Sequence, residues 1–229
     1  MRTSFFSFVL LVAMGTAPFA HAGPAASVKA WVPAGWKLIQ DASGDLDGDG
    51  LDDAVLVLER TDPANIVANE GGLGTSELNL NPRRLLVLFQ GPSGWRKGLQ
   101  TDRFLPTEHD ADSPCLADPL DEGGVTIQRG VLVIDLHYWL SCGSWAATHR
   151  SFRFRLEQGR FRLIGQDTQS FVRNTGEESA SSINYLTGRK KTTETPMVSD
   201  EQAQPKPRTT WTHLTGPRTF YLDRMRAGD

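Results

Sequence analysis

The segment Asp45-Leu46-Asp47-Gly48-Asp49-Gly50-Leu51-Asp52-Asp53 constrains this chain more than any other. It has the pattern D-x-D-x-D-G-x-x-D and runs straight into the apolar strand formers Ala54-Val55-Leu56-Val57-Leu58. Packing the carboxylates of Asp45, Asp47, Asp49 and Asp53 around one turn costs electrostatic repulsion unless a cation sits among them. Calcium suits such a set. It is a hard cation that takes about six to eight oxygens, and aspartates at alternate positions aim short carboxylates at one centre. Gly50 permits the sharp turn, the Leu51 carbonyl is placed to add a backbone oxygen, and Asp53 returns to close the shell. Asp52 is expected to point outward. The predicted metal ligands are therefore Asp45, Asp47, Asp49, Leu51 and Asp53, with calcium as the cofactor; the alternative is an acidic surface turn without an ion.

The loop is not an EF-hand, because its twelfth position is Leu56 where a bidentate glutamate is required, and its flank is β-like. Residues 54–58 are too short a run for a typical helix and read as a strand buried on both faces. Further strands are expected at 36–39, 84–90, 95–100, 125–128, 131–140, 151–156, 161–165, 181–186 and 189–193, with one more near Trp211. The segment 151–156 alternates cleanly, with Phe152, Phe154 and Leu156 on one face and Arg153 and Arg155 on the other. Residues 61–82, with Pro63, Gly71, Gly72, Gly74 and Pro82, read as a long mobile connection, and 106–123 as irregular. Long helical periodicity is absent. The expected fold is all-β, with antiparallel sheets that are propeller-blade-like or sandwich-like and few or no long helices. Residues 23–195 form the β-rich domain, and 196–229 form a proline-rich linker and C-terminal tail.

The first residues have the order of a secretory signal peptide: Arg2, an apolar run over 5–13, then small residues closing on Ala20-His21-Ala22. The run falls short of the ~20 residues that cross a bilayer, so cleavage after Ala22 and a periplasmic or secreted location are expected, with no membrane span. Export makes a Cys115–Cys142 disulfide the expected state of the two cysteines, two free thiols being the alternative. The net charge of −3 gives no general attraction to nucleic acid or anionic membranes.

The stretch from Gly44 through Asp45, Asp47, Asp49 and Asp53 to Val55 resembles the calcium loop of FG-GAP or VCBS repeats. Those repeats form blades of integrin-like β-propellers, in which the loop aspartates bind calcium between two strands. The similarity implies side-chain ligation by Asp45, Asp47, Asp49 and Asp53. It covers one repeat, near residues 36–60, whereas a full ring needs several blades of four strands. Residues 161–165, 173–177 and 182–188 also resemble a group of exported bacterial proteins with a single loop of this kind, from which no activity carries over.

Weaker constellations complete the reading. Arg153, Arg155, Arg160 and Arg162 lie on two arms of one hairpin and form either a basic stripe for an anionic partner or a solvated face. Tyr138, Trp139 and Trp145 could pack in the core or stack on sugar rings, and alternation puts Tyr138 and Trp139 on opposite faces. His137 shares a strand face with Asp135, and His149 lies near Ser141 in sequence. No nucleophile elbow, zinc-protease helix or phosphate-binding glycine loop is present, so no catalytic residue is assigned. The expected function is a non-enzymatic binding or interaction module, with a structural calcium ion and an unknown protein or glycan partner. A cell-envelope hydrolase with residues 61–82 as a lid, and a carbohydrate-binding module, are the alternatives.

Overall fold

A computed structural model describes residues 27–197 and 206–228; the expected signal segment at 1–22 lies outside the described residues. Among the described residues, thirteen strands make three antiparallel sheets. Strands β1 (Trp36–Gly44) and β2 (Asp53–Arg60) flank the acidic loop. A small hairpin of β3 (Ile66–Ala68) and β4 (Glu77–Asn79) follows, and β5 (Arg83–Gly91) and β6 (Gly94–Thr101) then complete a four-stranded sheet in the order β1-β2-β5-β6. The remaining strands are β7 (Gly124–Gln128), β8 (Val131–Trp139), β9 (Ala146–Glu157), β10 (Arg160–Val172), β11 (Glu177–Asn184), β12 (Arg189–Thr195) and β13 (Arg208–His213). They form one seven-stranded sheet in which each strand pairs with its neighbours in sequence. The fold is all-β, and among the described residues no helix is long and apolar enough to cross a membrane.

The two large sheets share a core, which is sandwich-like. Val55 and Val57 of β2 and Leu85 and Val87 of β5 turn inward to meet Leu132, Ile134 and Leu136 of β8 and Phe152 and Phe154 of β9. Phe104, just after β6, sits edge-on to both phenylalanines at 5.2 and 5.4 Å. The outward residues of the same two strands, Leu56, Leu58, Leu86 and Leu88, are buried too, beneath Trp31, Trp36, Leu38 and Trp95. The unbroken apolar run of β2 thus fills two layers at once, and each such side chain contributes about 1.5–3 kcal/mol by leaving water.

Several segments extend beyond expectation. Residues 61–82 are not an unstructured connection: a 3-10 turn at Pro63–Asn65 leads into the β3–β4 hairpin. Strand β10 continues well past Gly165, across a bulge between Leu163 and Gly165, because β9 and β11 supply hydrogen bonds on both sides. After residue 196, β13 pairs with β12, and Leu222, Met225 and Ala227 enter the main core, so part of the expected tail is core material. The cysteines form one disulfide, Cys115–Cys142, which ties the irregular segment after β6 to the end of β8.

One ionic cluster lies inside. Arg83 of β5 donates from Nε to Glu59 of β2 at 3.0 Å and grips both oxygens of Asp118 at 2.6 and 2.5 Å. Arg83 and Glu59 have side chains only 2% and 1% exposed. The cluster joins the four-stranded sheet to the segment that carries the disulfide.

Candidate metal centre

The acidic loop is the connection between β1 and β2, whose register ends on the pair Gly44 and Asp53. Antiparallel pairing therefore holds the two ends of the loop together, and the intervening residues must reverse direction within a short span. Gly48 and Gly50 do this at φ of +82° and +84°, in the left-handed region that favours glycine. Aspartate side chains then satisfy the backbone of the turn. Gly48 and Gly50 each donate an N–H to Asp45, at 2.7 Å to Oδ1 and 3.0 Å to Oδ2. Asp49 donates its N–H to Asp47 Oδ1 at 3.3 Å, and Leu51 donates its own to Asp49 Oδ1 at 2.8 Å.

The result gathers three of the predicted ligands. One carboxylate oxygen from each of Asp45, Asp47 and Asp49 lies within 4.8 Å of the others. This donor set fits a hard divalent cation, because it is all carboxylate, without nitrogen or sulfur, and the exposed backbone at Gly48 and Gly50 leaves water access to complete a shell. Leu51 lies at the exposed rim of the loop beside Asp52, which faces outward as expected.

Asp53 is used differently. It is fully buried, and it is not among the three converging carboxylates. Its Oδ2 accepts the Leu46 N–H at 2.8 Å and its Oδ1 accepts the Gln90 N–H at 3.0 Å. Asp53 thereby pins the start of the loop to the end of β5. Burial pushes its carboxyl up from the ordinary range, the two backbone bonds pull it back, and the nearby charge of Asp47 adds to the upward push. Arg96 of β6 approaches the same loop from outside, with its guanidinium 3.0 Å from Asp47 Oδ2 and 4.3 Å above the Phe89 ring. Neither the Gln90 nor the Arg96 contact is readable from the loop's own spacing.

The other constellations resolve individually. The four arginines of the expected stripe are all matched: Arg153 with Asp167 at 2.7 Å, Arg155 and Arg162 with Glu157, and Arg160 with Asp223 at 2.8 Å. Arg155 and Arg162 hold Glu157 below the usual carboxylate range through their hydrogen bonds. His137 faces Glu122 at 3.0 Å, and Asp135 faces His149 at 3.4 Å. The Ser141 hydroxyl donates to the Cys115 carbonyl at 3.3 Å, so the three residue types do not line up as a relay. A concavity of about 300 Å³ is lined by Asp118, Asp121, Glu122, His137 and Trp139. Within it, partial burial and then the charges of Asp118 and Glu108 push the Asp121 carboxyl up. Tyr138 turns toward the core, while Trp139 and Trp145 both lie against the Arg173 guanidinium, at 5.1 and 5.6 Å. No protein-family model, no curated protein and no solved structure matches this chain, which leaves the geometry of the loop to carry its interpretation.

Proposed function

We propose that this chain is an exported, non-enzymatic binding module whose acidic loop holds one structural calcium ion. The single observation that carries the proposal is the convergence of Asp45, Asp47 and Asp49 at the joint between two core strands. In this reading the three carboxylates and the Leu51 carbonyl supply the protein oxygens, water completes the shell, and Asp53 anchors the loop from behind. The ion replaces mutual repulsion with attraction and fixes the β1–β2 connection. Export is supported by the Cys115–Cys142 bond, a linkage that persists in oxidising compartments.

Extracellular sites of this type bind at about 10⁻⁴ to 10⁻³ M. At calcium a hundredfold above Kd, linkage adds about 2.7 kcal/mol to the folded state. For a chain of this size that corresponds to a rise in Tm of about 5–10 °C. Calorimetric titration and thermal melts, in calcium and in chelator, test it. Asp47→Ala lowers Tm in calcium and has little effect in chelator. Equal losses in both conditions, or no heat on titration of the wild type with calcium, overturn the proposal.

A further inference from the structure

The outward face of β10 to β13 holds a second feature, remote in sequence from the calcium loop. Strand register places Asp167, Ser182, Lys191 and Trp211 in one cross-strand row, and Asn184, Arg189 and His213 in the next. Intervening residues of β11 point the other way, where Ile183 packs against the core. The two rows therefore face solvent, and Trp211 is 56% exposed. Three concavities of about 360, 210 and 330 Å³ run along this face. The first two share Ala180 and Thr193, and the last two share Ser182 and Lys191, so they form one trough. Its span along β11, from Glu178 to Asn184, is about 20 Å at the usual rise of a strand.

Charge and chemistry select the occupant. Arg153, Arg155, Arg160 and Arg162 are neutralised by carboxylates, but Arg189 and Lys191 have no ion pair among the described residues. Arg189 lies over the Trp211 ring at 4.5 Å, which orients the guanidinium and leaves its N–H edge free for an acceptor. An exposed indole beside two unmatched cations, an amide and a hydroxyl offers an apolar face and anion donors together. A peptide strand would add along the open edge of β13, whereas the trough runs over the face of the sheet, across β10, β11 and β12, which are paired on both sides. A nucleic acid is gripped phosphate by phosphate along its backbone, whereas the trough offers two unmatched cations, both at its Trp211 end. A short uronic-acid oligosaccharide fits both constraints, because one ring can lie flat on the indole while its carboxylate meets the two cations beside it.

We infer that this trough binds a uronic-acid oligosaccharide, with a carboxylate on Arg189 and Lys191 and a ring against Trp211. The inference rests on the reading of the chain as a binding module and is independent of its calcium site. The test is titration of the full chain with galacturonate hexasaccharide, alongside its fully methyl-esterified form and a single-stranded oligonucleotide, each in calcium and in chelator. The hexasaccharide binds, and the neutral ester and the oligonucleotide bind at least about tenfold more weakly, the factor for one lost ion pair. Lys191→Ala and Trp211→Ala each weaken binding by about tenfold, while Arg153→Ala and the calcium-loop variant Asp47→Ala change it by less than about twofold. Both trough residues are exposed, so circular dichroism and melting stay as in the wild type. Absence of hexasaccharide binding, equal binding of the ester or the oligonucleotide, or undiminished binding by both trough variants overturns the inference. Undiminished binding by Asp47→Ala beside a failed calcium titration leaves the trough standing and removes the metal site alone.

Discussion

Replacing Arg83 with methionine removes the one cation that holds Glu59 and Asp118 together inside the fold. Methionine fills much of the arginine stem's volume, so packing loss is small and the cost is electrostatic. Asp118 loses two charge-assisted bonds and keeps the Leu120 N–H at 3.0 Å. Glu59 loses one and keeps Lys37 at 2.8 Å and Asn79 at 2.9 Å. Breaking a buried pair by removing one partner costs about 3–5 kcal/mol, because the remaining charge is stranded. The partners retained by Glu59 place Arg83→Met near the lower end, at about 3 kcal/mol, or a fall in Tm of about 6–12 °C. Urea unfolding followed by tryptophan fluorescence measures it. The triple variant Arg83→Met, Glu59→Gln, Asp118→Asn regains at least half of the loss, since no uncompensated charge is left. A loss below about 1 kcal/mol for Arg83→Met, or no recovery in the triple variant, refutes the assignment of this cluster as the joint between the sheet and the disulfide segment.

Four further outcomes follow from particular contacts. Burial raises the Glu59 carboxyl, but bonds from Lys37, Asn79 and Arg83 outweigh it and hold it below its ordinary 4.5. Its contribution is therefore complete above pH 4.5 and is lost as pH falls through the lower folded value, so Glu59→Gln flattens the stability–pH curve in that acid window. Replacing Cys115 and Cys142 with serine opens a closed loop of 27 residues and costs about 3.5 kcal/mol on the chain-entropy account, read from urea unfolding of oxidised protein. At Gly74, φ is +84° and an added Cβ would collide with the Pro114 carbonyl, so Gly74→Ala costs about 1–3 kcal/mol and raises hydrogen exchange at residues 66–79. Asp53→Ala strands the buried N–H of Leu46 and the partly buried N–H of Gln90 and costs about 2–4 kcal/mol equally in calcium and in chelator, whereas Asp47→Ala loses only the calcium-dependent part.

The parts of the fold legible in sequence are those where one strand's own side chains decide its state. Residues 54–58 show an unbroken apolar run because both faces of β2 are covered, and 151–156 alternate because β9 has one wet face. The second half of β10, Gln166 to Val172, carries no such signal, since most of its side chains are polar. Its strand state comes from backbone bonds to β9 and β11, which are contacts between segments. The same holds for β3 and β4, three residues each with little buried surface. Leu222, Met225 and Ala227 are too sparse to show a period, and their burial depends on where the core lies open between Phe104 and Arg150.

The candidate site divides along the same line. Alternate aspartates closing a β-turn are a local pattern, and the cluster of Asp45, Asp47 and Asp49 follows from spacing alone. The role of Asp53 depends on Gln90, 37 residues away, and the neutralisation of the arginine hairpin depends on acids as distant as Asp223. The loop also shows why a crowded set of carboxylates can be assembled before any ion arrives. Asp45 takes two glycine N–H groups, and Asp47 and Asp49 each take one from the turn, so backbone dipoles offset part of the repulsion. A preassembled ring has little ordering entropy left to lose on binding. On the proposed reading, affinity for calcium is set by the repulsion that the backbone bonds leave uncompensated, and by Arg96, which already supplies positive charge to Asp47 from outside the ring.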